Sequence, residues 1–228
     1  GMSVISAITA QNTQQVEGVF PVASHIIRAQ LQSIVSDIEV HAVKIGLLPD
    51  PSTLETVASL CKEFGLAHVV VDPVLRSTTG YDFARMDMAP HYRKILFPIA
   101  DVITPNLEEA SALCGMKVQD SDGMKSAAKL LHESGARKVI ITGGHLKDSA
   151  LDILYDGEEF QEFNAPRIVS DNTRGLGCTF SSIVAVYLAR GHSASDGVIG
   201  AKKYIAQALI PSWKLGKGKG PLNFRSTM

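Results

Sequence analysis

The sequence predicts an α/β fold: a mostly parallel central sheet flanked by helices, with an antiparallel hairpin at one edge. Three observations predict it. Short β-branched runs alternate with longer amphipathic stretches along most of the 228 residues, the pattern of parallel strands joined by crossover helices. Those runs are almost wholly apolar, as strands covered on both faces should be. After Gly144 the rhythm changes to two short runs around Asp156-Gly157, which is a hairpin signal.

The elements follow in order. Gly1 to Ala10 reads as a buried strand or a tight helix. Pro21 to Ser36 places Ile26, Ile27, Gln30, Leu31 and Ile34 at spacings of three and four, the stripe of an amphipathic helix. Val40 to Ile45 is a strand. Asp50-Pro51 starts the next helix, because Asp can cap and Pro fits the first turn, where its missing N–H costs nothing. That helix ends at Gly65. His68 to Val74, Asp101 to Thr104 and Lys138 to Thr142 are further strands, and Asp120 to Ser134 is a helix that stops at Gly135. Ala150 to Tyr155 and Glu159 to Asn164 form the hairpin arms. Two long helices, Cys178 to Arg190 and Ser193 to Leu209, close the domain, and the Gly/Lys-rich stretch Leu215 to Pro221 reads as a linker.

The whole chain, 1–228, reads as one domain with no seam. With 22 Lys plus Arg against 23 Asp plus Glu, its net charge is -1, without the basic excess of a nucleic-acid binder. The three cysteines, Cys61, Cys114 and Cys178, are far apart and form no CxxC pair, so neither a zinc site nor a disulfide scaffold is indicated. No run approaches the ~18 apolar residues of a membrane span. The expectation is a cytoplasmic protein with no nucleic-acid or membrane partner.

The richest segment for chemistry is Asn172 to Ser182, NTRGLGCTFSS. Gly175 and Gly177 permit a tight turn that exposes consecutive N–H groups at a helix start, an anion site suited to phosphate. A plain glycine-permitted turn into a core helix is the alternative. Asn106 and Glu109, three apart after a strand, offer hard oxygens suited to magnesium held mostly through water. They also suit a helix cap and a first-turn carboxylate. Asp72 in VVVDPV and the Thr142-Gly143-Gly144 segment lie at strand C-terminal ends, where open parallel sheets bind ligands.

The ordered set AQNT (Ala10 to Thr13), VKIGLL (Val43 to Leu48), VVVDPV (Val69 to Val74), DVITPNLEEA (Asp101 to Ala110), GGH (Gly143 to His145), APRI (Ala165 to Ile168) and NTRGLGCTFSS resembles the hydroxymethylpyrimidine/phosphomethylpyrimidine kinases. These belong to the vitamin-kinase branch of the ribokinase-like superfamily, and the resemblance runs from Gly1 to about Phe224. It implies a ribokinase-like three-layer sandwich. It also implies Mg-ATP-dependent phosphorylation of 4-amino-5-hydroxymethyl-2-methylpyrimidine and then of its monophosphate, by a homodimer. By resemblance, Gln11 and Leu75 contact the pyrimidine, and Gly175, Gly177 and Cys178 form the catalytic turn. Asp72, Thr142, Gly143, Gly144, Asn172 and Thr173 face the nucleotide and its phosphates, and Asn106 and Glu109 serve the metal.

Cys178 stands where most ribokinase-like enzymes carry a basic Asp. A helix start can lower a thiol pKa, so the expectation is a base or a group that positions the alcohol. Thr142 replaces a frequent Lys, and Arg174, Lys202 or Lys203 is the expected compensating cation. Leu176 replaces a frequent Thr, and Lys219 a frequent His. Relatives also begin with a strand, a glycine-rich loop and a helix that this sequence is expected to lack. Pyridoxal or pyridoxine kinase is the near alternative, and a non-catalytic vitamin-sensing relative is the alternative from another class.

Overall fold

The computed structural model describes residues 1–77, 80–83, 87–144, 150–210 and 215–224. The centre is a six-stranded sheet in the order β3-β4-β5-β6-β7-β8, built from Val43–Ile45, Val69–Val71, Val102–Ile103, Val139–Gly143, Leu151–Tyr155 and Phe160–Phe163. β3 to β6 run parallel, and β7 and β8 pair antiparallel at the far edge. The α/β reading and the edge hairpin therefore hold, although β3, β4 and β5 are shorter than the apolar runs that announce them.

The side chains of a strand alternate between faces, and this sheet divides its core accordingly. Val69, Val71, Ile103, Val139, Ile141 and Ile153 enter one buried cluster with residues of helices α2 (Pro51–Glu63), α4 (Leu107–Cys114) and α5 (Ser121–Glu133). Val70, Val102, Ile140 and Leu154 enter a second cluster with α6 (Leu176–Ala189) and α7 (Ala194–Ala208). The result is three layers with a sheet covered on both faces, which is why its strands read as unbroken apolar runs.

The helix signals act as the sequence predicts. The Asp50 side chain accepts the Thr53 N–H at 2.7 Å, and Asp120 accepts the Gly123 N–H at 2.8 Å. Gly65 and Gly135 turn the chain out with φ of 60° and 107°. Between β4 and β5, a short helix α3 (Ala89–His91) passes into a wider turn (Tyr92–Leu96) and then a tighter one (Phe97–Ile99). Tyr92, Leu96 and Phe97 are fully buried there, although no simple period marks the segment.

The N-terminal region departs from expectation. Ala7–Gln11 (β1) and Val16–Pro21 (β2) form a separate two-stranded antiparallel ribbon. β1 is a strand, but it is largely exposed rather than buried. Helix α1 begins at Ser24 and ends at Val35, so Pro21 closes a strand instead of opening the helix. The stretch 215–221 is no linker. Gly218 N–H donates to Thr13 Oγ1 at 3.2 Å, and Arg174 N–H donates to the Gly220 carbonyl at 3.0 Å, which ties the tail to the ribbon turn and to the segment before α6.

Candidate active site

The residues singled out in the sequence gather where β3 to β6 end and α6 begins. Gly175 is the N-cap of α6 with φ 83°, a conformation that favours glycine. The helix starts two residues earlier than its apolar run suggests, so Gly177 and Cys178 lie in its first turn. A Cβ at either glycine would meet no atom within 4 Å, so the turn faces open space. Immediately upstream, Asn172 is buried, and Thr173 Oγ1 is a buried hydroxyl without a hydrogen-bond partner.

Beneath this turn lies a polar cluster. Asp72, buried just past β4, forms an ion pair with Lys44 at 3.1 Å. Ser181, wholly buried one turn beyond Cys178, donates to the same Asp72 oxygen at 3.1 Å. Lys44 and Asp72 are the charged neighbours that act on the Cys178 sulfur. Burial disfavours the Lys44 charge, but the Asp72 carboxylate and the cysteine sulfur outweigh it and hold the ammonium above its ordinary value. Cys178 reaches the surface, yet the protein packed around its sulfur, aided by Asp72 and opposed by Lys44, pushes the thiol up to about 11. The lowering expected from a helix start is overturned, because loss of water and an adjacent carboxylate both disfavour a thiolate. Lys44 and Ser181 escaped the sequence reading. A lysine inside the apolar run Val43-Lys44-Ile45 was the available signal.

Gln11 ends the ribbon strand, and its side-chain oxygen accepts a hydrogen bond from Arg174, which also donates to the Asn12 carbonyl. Arg174 thus joins the ribbon to the α6 turn. Leu75 is half-buried against the first core cluster.

Asn106 and Glu109 form a reciprocal capping box at the start of α4. Asn106 Oδ1 accepts the Glu109 N–H, and Glu109 accepts the Asn106 N–H, both at 2.9 Å. Burial, reinforced by the Asp72 charge, pushes Glu109 up to about 8 against its backbone hydrogen bonds from Asn106 and Leu75. Among the described residues no three His, Cys, Asp or Glu side chains converge on a metal position. The oxygens of Asn106 and Glu109 are of the kind that holds magnesium through water.

Thr142 bridges to Asn106 between strand ends. Gly143 donates its N–H to Asp152 Oδ1 at 3.0 Å, whereas Gly144 is exposed with open space where a side chain would go. His145 lies outside the described residues. Lys202 is not the compensating cation: it sits in an ion pair with Asp152 at 2.6 Å and donates to the Ala150 carbonyl. Lys203 is exposed on α7.

Known proteins resemble this chain along almost its whole length. A thiamine biosynthesis bifunctional protein from Geobacter sulfurreducens is 41% identical over 224 residues, covering 98% of this chain and 46% of that protein. The chain thus spans less than half the length of that relative. A hydroxymethylpyrimidine/phosphomethylpyrimidine kinase from Aquifex aeolicus is 37% identical over 225 residues, covering 98% of this chain and 88% of that protein. The ADP complex of Bacillus subtilis pyridoxal kinase superposes with a TM-score of 0.90 at 39% identity, over 99% of this chain and 86% of that one. The sequence pattern of the phosphomethylpyrimidine kinases matches residues 1–223. Matched along almost its whole length, and with its glycine turn, Cys178 and Asp72 at one end of a mostly parallel sheet, the chain belongs to the phosphomethylpyrimidine kinase family.

Proposed function

We propose that this chain is an ATP-dependent kinase that phosphorylates 4-amino-5-hydroxymethyl-2-methylpyrimidine on its hydroxymethyl oxygen and then phosphorylates the monophosphate. The observation that carries this reading is the α6 turn: open glycines and the unpartnered Thr173 hydroxyl surround Cys178, while Arg174 links the same turn to Gln11. An amide at Gln11 offers the donor and acceptor that an aminopyrimidine edge requires.

The hydroxyl oxygen bonds to the γ-phosphorus as the bond to ADP breaks, and the hydroxyl proton passes to an oxygen of the transferred phosphoryl group. Such a transfer depends mainly on positioning and on stabilising charge at the equatorial oxygens, a task suited to the N–H groups of Gly175, Gly177 and Cys178. A thiol pushed up to about 11 is neutral at physiological pH, so Cys178 orients the alcohol rather than drawing off its proton at the outset. Asn172, Thr173, Thr142, Gly143 and Gly144 flank the nucleotide. Leu75 covers the pyrimidine. Asn106 and Glu109 would hold magnesium through water, and the ion would supply the positive charge that neutralises the nucleotide phosphates. By its resemblance to the family, the enzyme acts as a cytoplasmic homodimer.

ATP consumption measured with the pyrimidine alcohol, its monophosphate and pyridoxal tests this reading, and a strong preference for pyridoxal overturns it. The fit to a pyridoxal kinase structure makes that vitamin the second reading. Binding of either vitamin without ATP turnover would mark a sensor.

A further inference from the structure

We propose that Lys44, seated in the space left by Gly46, is a positioning residue for phosphoryl transfer that fixes Asp72 and the Cys178 sulfur in one arrangement beneath the α6 turn. The proposal rests on the kinase reading above.

Lys44 lies in the three-residue strand β3 between Val43 and Ile45, where the run otherwise consists of apolar side chains. Removing an ammonium from water costs several kcal/mol unless it is paired and hydrogen-bonded, so a lysine here needs partners. It pairs with the Asp72 carboxylate at 3.1 Å and interacts electrostatically with the Cys178 sulfur. Ser181 closes the cluster from α6, donating to the Asp72 oxygen that Lys44 also holds. Three separate elements, β3, the end of β4 and α6, are thereby locked together by one cation. The cation also offsets the Asp72 charge, which would otherwise repel a phosphoryl group arriving at the turn above.

The glycine two residues on explains how the ammonium gets there. A Cβ at position 46 would stand 2.5 Å from Lys44 Nζ and 3.6 Å from its Cε, so the lysine tip occupies the place of a side chain. Gly46 is absent from the positive-φ positions, hence its value lies in that space and not in its backbone. An alanine there displaces only the flexible end of Lys44 and leaves the strand intact. It separates the position of the charge from its presence.

Two variants and two readouts test the idea. Gly46→Ala is expected to lower kcat tenfold or more with little change in KM for ATP or in the thermal midpoint. Lys44→Met should lower kcat at least a hundredfold, with partial recovery in Lys44→Arg. The second readout is the pH profile of iodoacetamide alkylation at Cys178, followed by peptide mass spectrometry. Asp72 and Lys44 are the charged groups that act on this sulfur, so loss or displacement of Lys44 moves the profile to higher pH. If Lys44→Met does not fold alone, Lys44→Met combined with Asp72→Asn removes both buried charges, and the proposal expects a folded but slow enzyme. Wild-type kcat in Gly46→Ala or in the double variant overturns the proposal, as does a slow Gly46→Ala or Lys44→Met variant whose alkylation profile is unmoved. Should the wild-type chain turn over none of the three substrates, the kinase reading fails on its own. The alkylation profile still decides whether Lys44 controls the thiol.

Discussion

Cys178 and Glu109 show how the surroundings of a residue reverse its expected chemistry. A cysteine at a helix start reads as an activated thiol, but Asp72 beside it and the packing around the sulfur push it up to about 11. Its contribution is then one of shape and hydrogen bonding. Cys178→Ala should lower turnover greatly while leaving ATP affinity nearly unchanged; calorimetric titration of ATP beside steady-state rates checks both. Glu109 carries a folded-state value of about 8, raised from 4.5 by burial and by Asp72. A raised value means that the folded state holds its proton more tightly, so stability is full below the ordinary carboxylate range and declines as pH rises from about 5 through 8. Glu109→Gln, measured without magnesium, is expected to flatten that decline in urea midpoints between pH 5 and 9. Asn106 and Glu109 were legible as a pair three apart, but the spacing suited a cap and a metal site equally, and the structure shows the reciprocal cap.

Among the elements, legibility follows the locality of the signal. A cap needs only neighbouring residues, so Asp50 announces α2 and Asp120 announces α5, and both make the bond expected of them. Asp50→Ala should cost about 1 kcal/mol, the usual value of such a cap, read as a lower urea midpoint with an unchanged slope. The ribbon strand Val16–Pro21 carries no such local mark, since its register depends on β1 across the turn. The irregular helix through Tyr92–Leu96 is invisible for a related reason. Its side chains follow the core they fill, and a widened turn breaks the 3.6-residue period by which helices are recognised. The tail at 215–221 looks like a linker by composition, but its glycines permit close approach: a Cβ at Gly218 would lie 2.0 Å from the Thr13 carbonyl oxygen.

Across the whole molecule, strand residues alternate between the two core clusters, so the sheet ties both together. Ile140 enters the cluster with α6 and α7 at 0% exposure, while its neighbours Val139 and Ile141 enter the opposite one. Ile140→Ala is therefore expected to cost about 2–5 kcal/mol through lost burial and the cavity left behind, measured by denaturant unfolding. Its effect on activity below the melting transition should be small, because the residue lies away from the strand ends that carry the site.

By itself, the sequence determined the α/β class, the helix caps, the edge hairpin and the resemblance that led to the kinase reading. All of these rest on short-range pattern, where periodicity, turn chemistry and motif order act along the chain. The tertiary structure alone decided which polar groups meet. Asp72 and Ser181 are 109 residues apart, and their contact exists because β4 lies beside β3 in the sheet while α6 packs across both. Lys202 has the same charge as Lys44 and is drawn away to Asp152 by the antiparallel edge. Charge and residue type were legible in advance, but the desolvation that raises Glu109 and Cys178, and the space at Gly46 that admits a lysine, arise only when distant segments pack together.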